Sequence, residues 1–73
     1  MSTPNLINHL KSHRGELSQQ ALAERVGVSR QTIISIEKGR FRPSVELALR
    51  LARALETTVE SLFVLDDAEG DPR

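Results

Sequence analysis

Two short helical patterns with a tight turn between them constrain the fold of this chain more than any other feature. The segment that carries them reads QQALAERVGVSRQTIISIEK. Ser18 and Ser29 each precede a helical pattern, where a serine side chain caps a helix by accepting a hydrogen bond from a backbone amide. Gly27 stands where a helix often ends in a left-handed residue. The sequence therefore predicts two helices, at about 19–25 and 30–38, joined by a short turn.

Small and apolar side chains occur where these two helices must approach each other. Ala23 is small enough for close contact, and Ile33 is apolar where the second helix packs back on the first. The other apolar positions of this seam are Leu22, Val26, Val28 and Ile36. Helices packed in this way meet at a steep angle and leave one face of the second helix exposed.

The exposed face of the second helix carries side chains suited to contacting base pairs. Arg30 and Gln31 are of the types that make bidentate contacts to guanine and adenine edges in the major groove of DNA. Ser29 and Thr32 can donate to phosphates or bases, beside the free backbone amides at the start of the helix. The rest of this face comprises Ile34, Ser35 and Lys38. Such a face favours DNA recognition, although on an isolated helix the same residues would be ordinary solvated side chains.

Three further helices are expected around this pair. The first is predicted at about 4–13, because apolar residues recur there at helical spacing. Ser44 is expected to cap a fourth helix, whose inward face would hold Val45, Ala48, Leu51, Ala52 and Leu55. Thr58 is expected to cap a short fifth helix at 59–63. Residues 63–65 are the only segment with an extended pattern, so the prediction is an all-α fold: a compact five-helix bundle with a short extended C-terminal segment.

Charge is distributed unevenly along the chain, although the formal net charge is zero. Residues 1–53 carry nine Lys or Arg against four acidic residues, and residues 54–73 carry one Arg against six acidic residues. This asymmetry is consistent with one face that meets a polyanion and another that faces away from it.

Several classes of protein are disfavoured by what the sequence lacks. The absence of cysteine excludes disulfides and thiolate metal sites. His9 and His13 are four residues apart, but no third ligand is evident, so neither a metal nor a cofactor is expected. No nucleophile and base pair and no phosphate loop is apparent, which argues against an enzyme. Without an apolar run of about 18 residues or a secretory signal, we expect a cytoplasmic protein.

From about residue 5 to residue 63 the chain resembles helix-turn-helix transcriptional regulators of the lambda-repressor and Cro type, also called XRE-like. The matching motifs are LSQQALAERVGVSRQTI, SIEKG and RPSVELALRLARAL, and the likeness is greatest to short stand-alone members that carry the VSRQTI run. The resemblance implies a transcriptional regulator, expected to be a repressor, whose third helix contacts the major groove of double-stranded DNA.

The resemblance also implies roles for individual residues. Gln19 matches a phosphate-binding glutamine, and the third helix supplies the positions that contact bases. The expected DNA-binding residues are Gln19, Ser29, Arg30, Gln31, Thr32, Ser35, Lys38, Arg40 and Arg42. The family usually pairs an arginine of the first helix with the glutamate that matches Glu37, and Lys11 is expected to take that place here, as a weaker partner.

The apolar segment near the C-terminus predicts a homodimer. Its expected interface residues are Leu62, Phe63, Val64 and Leu65, with Leu47 or Leu49 nearby. Alternatively, Phe63 only seals the core of the monomer. A symmetric dimer would place two third helices in successive major grooves, so an inverted-repeat operator is expected. Residues 1–65 would then form one domain with its dimerisation segment, followed by an acidic disordered tail at 66–73.

A second interpretation is a protein-interaction module, such as an antitoxin or an adaptor that retains the fold. Arg30, Gln31 and the basic residues after the third helix discriminate between the two, because an adaptor has no need of them. A protein co-regulator remains an open expectation in both cases.

Overall fold

Five helices and a two-stranded antiparallel sheet make up residues 5–66, the part of the chain that this computed structural model describes. In chain order the elements are β1 (Asn5–Asn8), α1 (Leu10–Arg14), α2 (Gln19–Val26), α3 (Arg30–Glu37), α4 (Val45–Ala54), α5 (Val59–Leu62) and β2 (Phe63–Asp66). The five predicted helices are present, and the extended segment after α5 is confirmed. Residues 1–4 and 67–73, which include most of the predicted acidic tail, lie outside the described part.

Hydroxyl side chains begin four of these helices, as predicted. The cap side chain of each of α2, α3, α4 and α5 accepts a hydrogen bond from the backbone amide three residues later in the chain. The caps, each followed by its donor residue, are Ser18 (Ala21), Ser29 (Thr32), Ser44 (Leu47) and Thr58 (Ser61). Each cap satisfies an amide that has no partner inside its own helix. Gly27 ends α2 at φ 78°, a left-handed conformation that costs glycine little.

The core lies where α2 packs against α3 and α4. The side chains that are fully enclosed there are Leu10, Leu22, Ile33, Ile36, Leu51 and Leu62. Ala23 and Val26 are also buried, so the predicted seam between α2 and α3 is confirmed. Val45 is 78% exposed, contrary to the prediction that it faces inward. The first turn of α4 instead packs Leu47 against the core.

The N-terminal segment is a strand, and the predicted first helix at 4–13 is wrong in its first half. β1 pairs with β2 in the register Asn5↔Asp66, Leu6↔Leu65, Ile7↔Val64 and Asn8↔Phe63. Helical spacing of apolar residues cannot reveal this pairing, because the partner strand lies more than fifty residues away along the chain. Asp66, the first residue of the predicted tail, belongs to β2, and the rest of that tail lies outside the described residues.

The sheet is attached to the helical core by hydrogen bonds at one end. The Asn8 side-chain amide donates to the carbonyl of Ile36, at 2.8 Å, and the His9 backbone amide donates to the carbonyl of Leu62, at 2.7 Å. These bonds connect the end of β1 to the last turn of α3 and to α5. Within residues 5–66 the longest helix has ten residues, and none of the helices there could cross a membrane.

Candidate nucleic-acid interface

The two sides of α3 differ in burial and in chemistry. Ile33 and Ile36 are enclosed in the core. The exposed residues are Ser29, Arg30, Gln31 and Lys38, and Thr32, Ile34 and Ser35 are half-buried. The helix therefore presents to solvent the face that the sequence predicts, and its apolar anchors hold that face in a defined orientation.

Hydroxyl groups and backbone amides gather at the start of α3. Ser29 Oγ lies 3.0 Å from Thr32 Oγ1, and the same Ser29 oxygen accepts from the Thr32 backbone amide at 3.2 Å. The first amides of a helix have no partner within it, and with the helix dipole they favour an anion. Ser29 and Thr32 thus lie together beside donors suited to a phosphate group.

The basic loop, residues 39–43, lies directly beside this surface. The Arg40 backbone amide donates to the Ser35 carbonyl at 2.9 Å, which fixes the loop against the last turns of α3. A shallow concavity is lined by Arg40 and Phe41 of the loop and by Ser29, Gln31, Thr32 and Ser35. Arg40 and Arg42 are both exposed. The structure therefore brings Arg40 together with the predicted residues Ser29, Gln31, Thr32 and Ser35. Arg42 instead lines a separate concavity, beside Asn8 and Phe63.

Phe41 is a member of this surface that the sequence prediction missed. Its side chain is 47% exposed and lines the concavity beside Arg40. A large apolar side chain between two arginines, outside any helical stripe, was the available signal. Exposed aromatic rings in a basic setting can pack on sugars or on thymine methyl groups.

Glu37 connects Gln19 to the end of α1. Its carboxylate accepts hydrogen bonds from Arg14 Nε at 2.8 Å, from Arg14 Nη2 at 3.3 Å and from Gln19 Nε2 at 3.0 Å. Arg14 Nη1 also donates to the Leu17 carbonyl at 3.0 Å. The Arg14 and Glu37 side chains are only 13% and 9% exposed. This cluster, Arg14–Glu37–Gln19, ties α1, the start of α2 and the end of α3 together.

The prediction that Lys11 pairs with Glu37 is wrong. α1 spans only Leu10–Arg14, and its last residue is the one that reaches Glu37. Lys11 is exposed. The position of the first helix was predicted too early in the chain, which shifted the expected partner by one turn.

The predicted dimer segment divides between core and surface. Leu62 is fully buried, so its side chain belongs to the core of the monomer and is removed from the predicted interface. Phe63 is half-buried and packs against the core. Val64 and Leu65 are 40% and 62% exposed, and Ile7, which pairs with Val64 across the sheet, is also exposed. Leu47 packs partly against the core, and Leu49 is exposed.

Among residues 5–66, His9 and His13 do not belong to any larger group of metal ligands. In the described part of the chain, no group of three or more His, Cys, Asp or Glu residues is placed to hold a metal ion. The His13 backbone amide and His13 Nδ1 each lie 3.1 Å from the His9 carbonyl oxygen.

Comparison with known proteins identifies relatives that are named as helix-turn-helix regulators. A family model described as helix-turn-helix matches residues 10–62. An uncharacterised HTH-type transcriptional regulator of Methanothermobacter thermautotrophicus is 56% identical over 61 residues, which cover 80% of this chain and 88% of that protein. Another, YgzD of Bacillus subtilis, is 41% identical over 63 residues, covering 86% of this chain and 94% of the relative.

Two solved structures of regulatory proteins are also similar to this chain. The restriction-modification controller protein C.AhdI from Aeromonas hydrophila is 34% identical with a TM-score of 0.69, covering 74% of this chain and 81% of that one. The clp gene regulator ClgR from Corynebacterium glutamicum is 33% identical with a TM-score of 0.65, covering 68% of this chain and 55% of that one. These proteins are named as regulators and controllers, not as enzymes. The chain belongs to the helix-turn-helix family of the lambda-repressor and Cro type, the XRE-like regulators.

Proposed function

We propose that this protein is a sequence-specific regulator of transcription that binds double-stranded DNA as a homodimer and acts as a repressor. The observation that carries the proposal is the orientation of α3: Ile33 and Ile36 are anchored in the core, and Arg30 and Gln31 are exposed on the other side. The names of the relatives as transcriptional regulators support the same function. A protein that binds chromosomal DNA would act in the cytoplasm of a prokaryotic cell.

In this proposal the residues of the surface have separate roles. Arg30, Gln31 and Ser35 contact base edges in the major groove, and Thr32 contacts a base or the backbone. The backbone contacts come from Gln19, Ser29, Lys38, Arg40 and Arg42. Phosphate contacts set the position of α3 on the duplex, and base contacts select the sequence.

The exposed apolar side chains of the sheet support the homodimer. Ile7 and Val64 are opposite each other and share one face, whereas Leu65, the next residue of β2, lies on the other face. Water-exposed apolar side chains clustered on a small domain favour association with a like surface. Two copies related by a twofold axis would contact an inverted repeat whose half-sites are about 34 Å apart, and occupancy of a promoter would block the polymerase.

The test is selection of bound duplexes from a random pool, followed by titration of the recovered sequence and a scrambled one. We expect an inverted repeat to emerge. With about six to ten phosphate contacts per dimer, affinity should fall by about 10³ or more between 50 and 200 mM salt. Failure to enrich any sequence, with no salt dependence, would contradict the proposal and would favour a protein-interaction module that retains the fold.

A further inference from the structure

The Gln19 side chain is held by a carboxylate, and this contact determines which end of its amide faces Glu37. An ionised carboxylate can only accept hydrogen bonds, whereas a primary amide has two N–H donors on nitrogen and an acceptor oxygen. Gln19 Nε2 lies 3.0 Å from Glu37 Oε1, so the nitrogen must be the end that faces Glu37. One N–H of the nitrogen is used there, and the second remains for another acceptor.

The orientation of this amide decides whether Gln19 can serve a phosphate. A phosphate oxygen accepts hydrogen bonds and cannot donate them. With Nε2 held at Glu37, the second N–H is available to such an acceptor. An amide rotated by half a turn would place the nitrogen and the carbonyl oxygen in each other's positions, and the oxygen would repel the phosphate. Loss of the Glu37 contact would let both orientations populate.

Arg14 removes the electrostatic difficulty of a carboxylate near DNA. Its guanidinium donates to both oxygens of Glu37, at 2.8 and 3.3 Å. The pair is mostly buried and carries no net charge, so its repulsion of a phosphate is small. Its third contact, from Nη1 to the Leu17 carbonyl, holds the guanidinium in the turn that leads into α2.

We propose that Glu37 is a positioning residue for contact with the DNA backbone: it fixes the Gln19 amide with a donor toward the phosphate, and Arg14 neutralises it. This inference rests on the proposed function, since it concerns how that interface is prepared. Glu37 itself does not touch DNA in this arrangement. Its removal therefore weakens binding by an indirect route.

A matched control is available on α2, the helix that carries Gln19. Gln20 Nε2 donates to Glu24 Oε2 at 3.0 Å, an exposed contact of the same type. Glu24→Gln and Glu37→Gln each remove one negative charge, so charge alone predicts that both raise affinity for a polyanion. Positioning predicts the opposite sign for Glu37→Gln only. We expect it to weaken binding about tenfold per half-site, the loss of roughly one hydrogen bond to a charged acceptor in each.

Affinity is measured by fluorescence anisotropy at one salt concentration, on the selected duplex and on a scrambled one. The Glu37→Gln loss should be equal for both, because phosphate contacts carry no base information. Gln19→Ala should weaken binding by the wild type about tenfold per half-site, and binding by the Glu37→Gln variant only slightly. Additive losses, or equal effects of Glu37→Gln and Glu24→Gln, would overturn the inference.

A second variant and a spectroscopic measurement guard against a folding defect. Glu37→Asp keeps the charge but withdraws the carboxylate by one methylene, and it should weaken DNA binding as Glu37→Gln does. In ¹⁵N–¹H spectra of the free protein, the Gln19 side-chain amide signals, assigned with Gln19→Ala, should shift in both Glu37 variants and not in Glu24→Gln. If the Gln19 amide signals do not shift in the Glu37 variants while the wild-type protein binds DNA, the inference is wrong but the proposed function stands. If the wild-type protein binds no duplex, the proposed function itself is wrong.

Discussion

The side chains of α3 differ in burial, and this difference separates those that hold the helix in the core from those that face solvent. Adjacent residues can differ completely, as Ile33 and Ile34 do: the first is enclosed in the core and the second is half-buried on the polar side. Ile33 holds the helix, and its neighbours Arg30 and Gln31 are free to contact DNA. We therefore propose that the polar residues of this face contribute to DNA binding rather than to the stability of the monomer.

Arg30→Ala tests this division at a single position. We expect the variant to keep its thermal stability and to lose about 1–3 kcal/mol of affinity for the selected duplex, with relaxed preference at one base pair. Titration of duplexes that carry each substitution in the half-site measures both effects. Arg53→Ala, which removes the same charge from α4, serves as the control. Equal losses from the two variants would contradict a base-contacting role for Arg30.

Elements differ in how far their local sequence determines them. The starts of α2, α3, α4 and α5 were predictable because a cap is a local signal, complete within four residues. The strand β1 was not, because its extended form depends on β2 at the other end of the described chain. The contact between α2 and α3 was predictable because the two helices are neighbours in sequence and their apolar spacing is a local signal. The partner of Glu37 was not predictable, because a side-chain pair between two helices can be predicted only if the first residue of each helix is known.

The ion pair that joins α1 to α3 can be compared with one that joins only two turns of α4. Arg14–Glu37 is mostly buried, whereas Arg50–Glu46, at 2.7 Å, has side chains 56% and 73% exposed. Arg14→Met should lower the free energy of unfolding by about 3 kcal/mol, because it leaves a buried carboxylate without its partner. Arg50→Met should lower it by no more than about 0.5 kcal/mol, because water screens the exposed pair. Urea denaturation followed by circular dichroism measures both, and similar losses would contradict the assignment of Arg14–Glu37 as the structural pair.

At the scale of the whole molecule, the sheet is the part that a monomer leaves incompletely covered. A two-stranded sheet is marginally stable alone, and here it is held by the Asn8 and His9 hydrogen bonds to the helical core. Ile7 and Val64 on one face of the sheet, and Leu65 on the other face, are exposed to solvent at the same time. In the proposed dimer these apolar side chains would be buried, and the sheet would set the spacing of the two α3 helices.

Leu65→Asp tests the proposed dimer. The side chain is 62% exposed, so the substitution should leave the monomer folded but place a charge in the subunit interface. We expect sedimentation equilibrium to show a dimer for the wild type and a monomer for the variant, with DNA affinity lost in parallel. Val45→Asp, at another strongly exposed apolar residue, should remain dimeric. A dimer of unchanged strength in Leu65→Asp would place the interface elsewhere.

The pairing of β1 with β2 also has a consequence for the order of events during biosynthesis. Asn5–Asn8 is translated almost sixty residues before its hydrogen-bonding partner, Phe63–Asp66. The helices between them make contacts at shorter separation, and closing the long loop is an entropic cost that their prior docking reduces. We therefore expect the helices of the nascent chain to pack together first and the two strands to form their hydrogen bonds last.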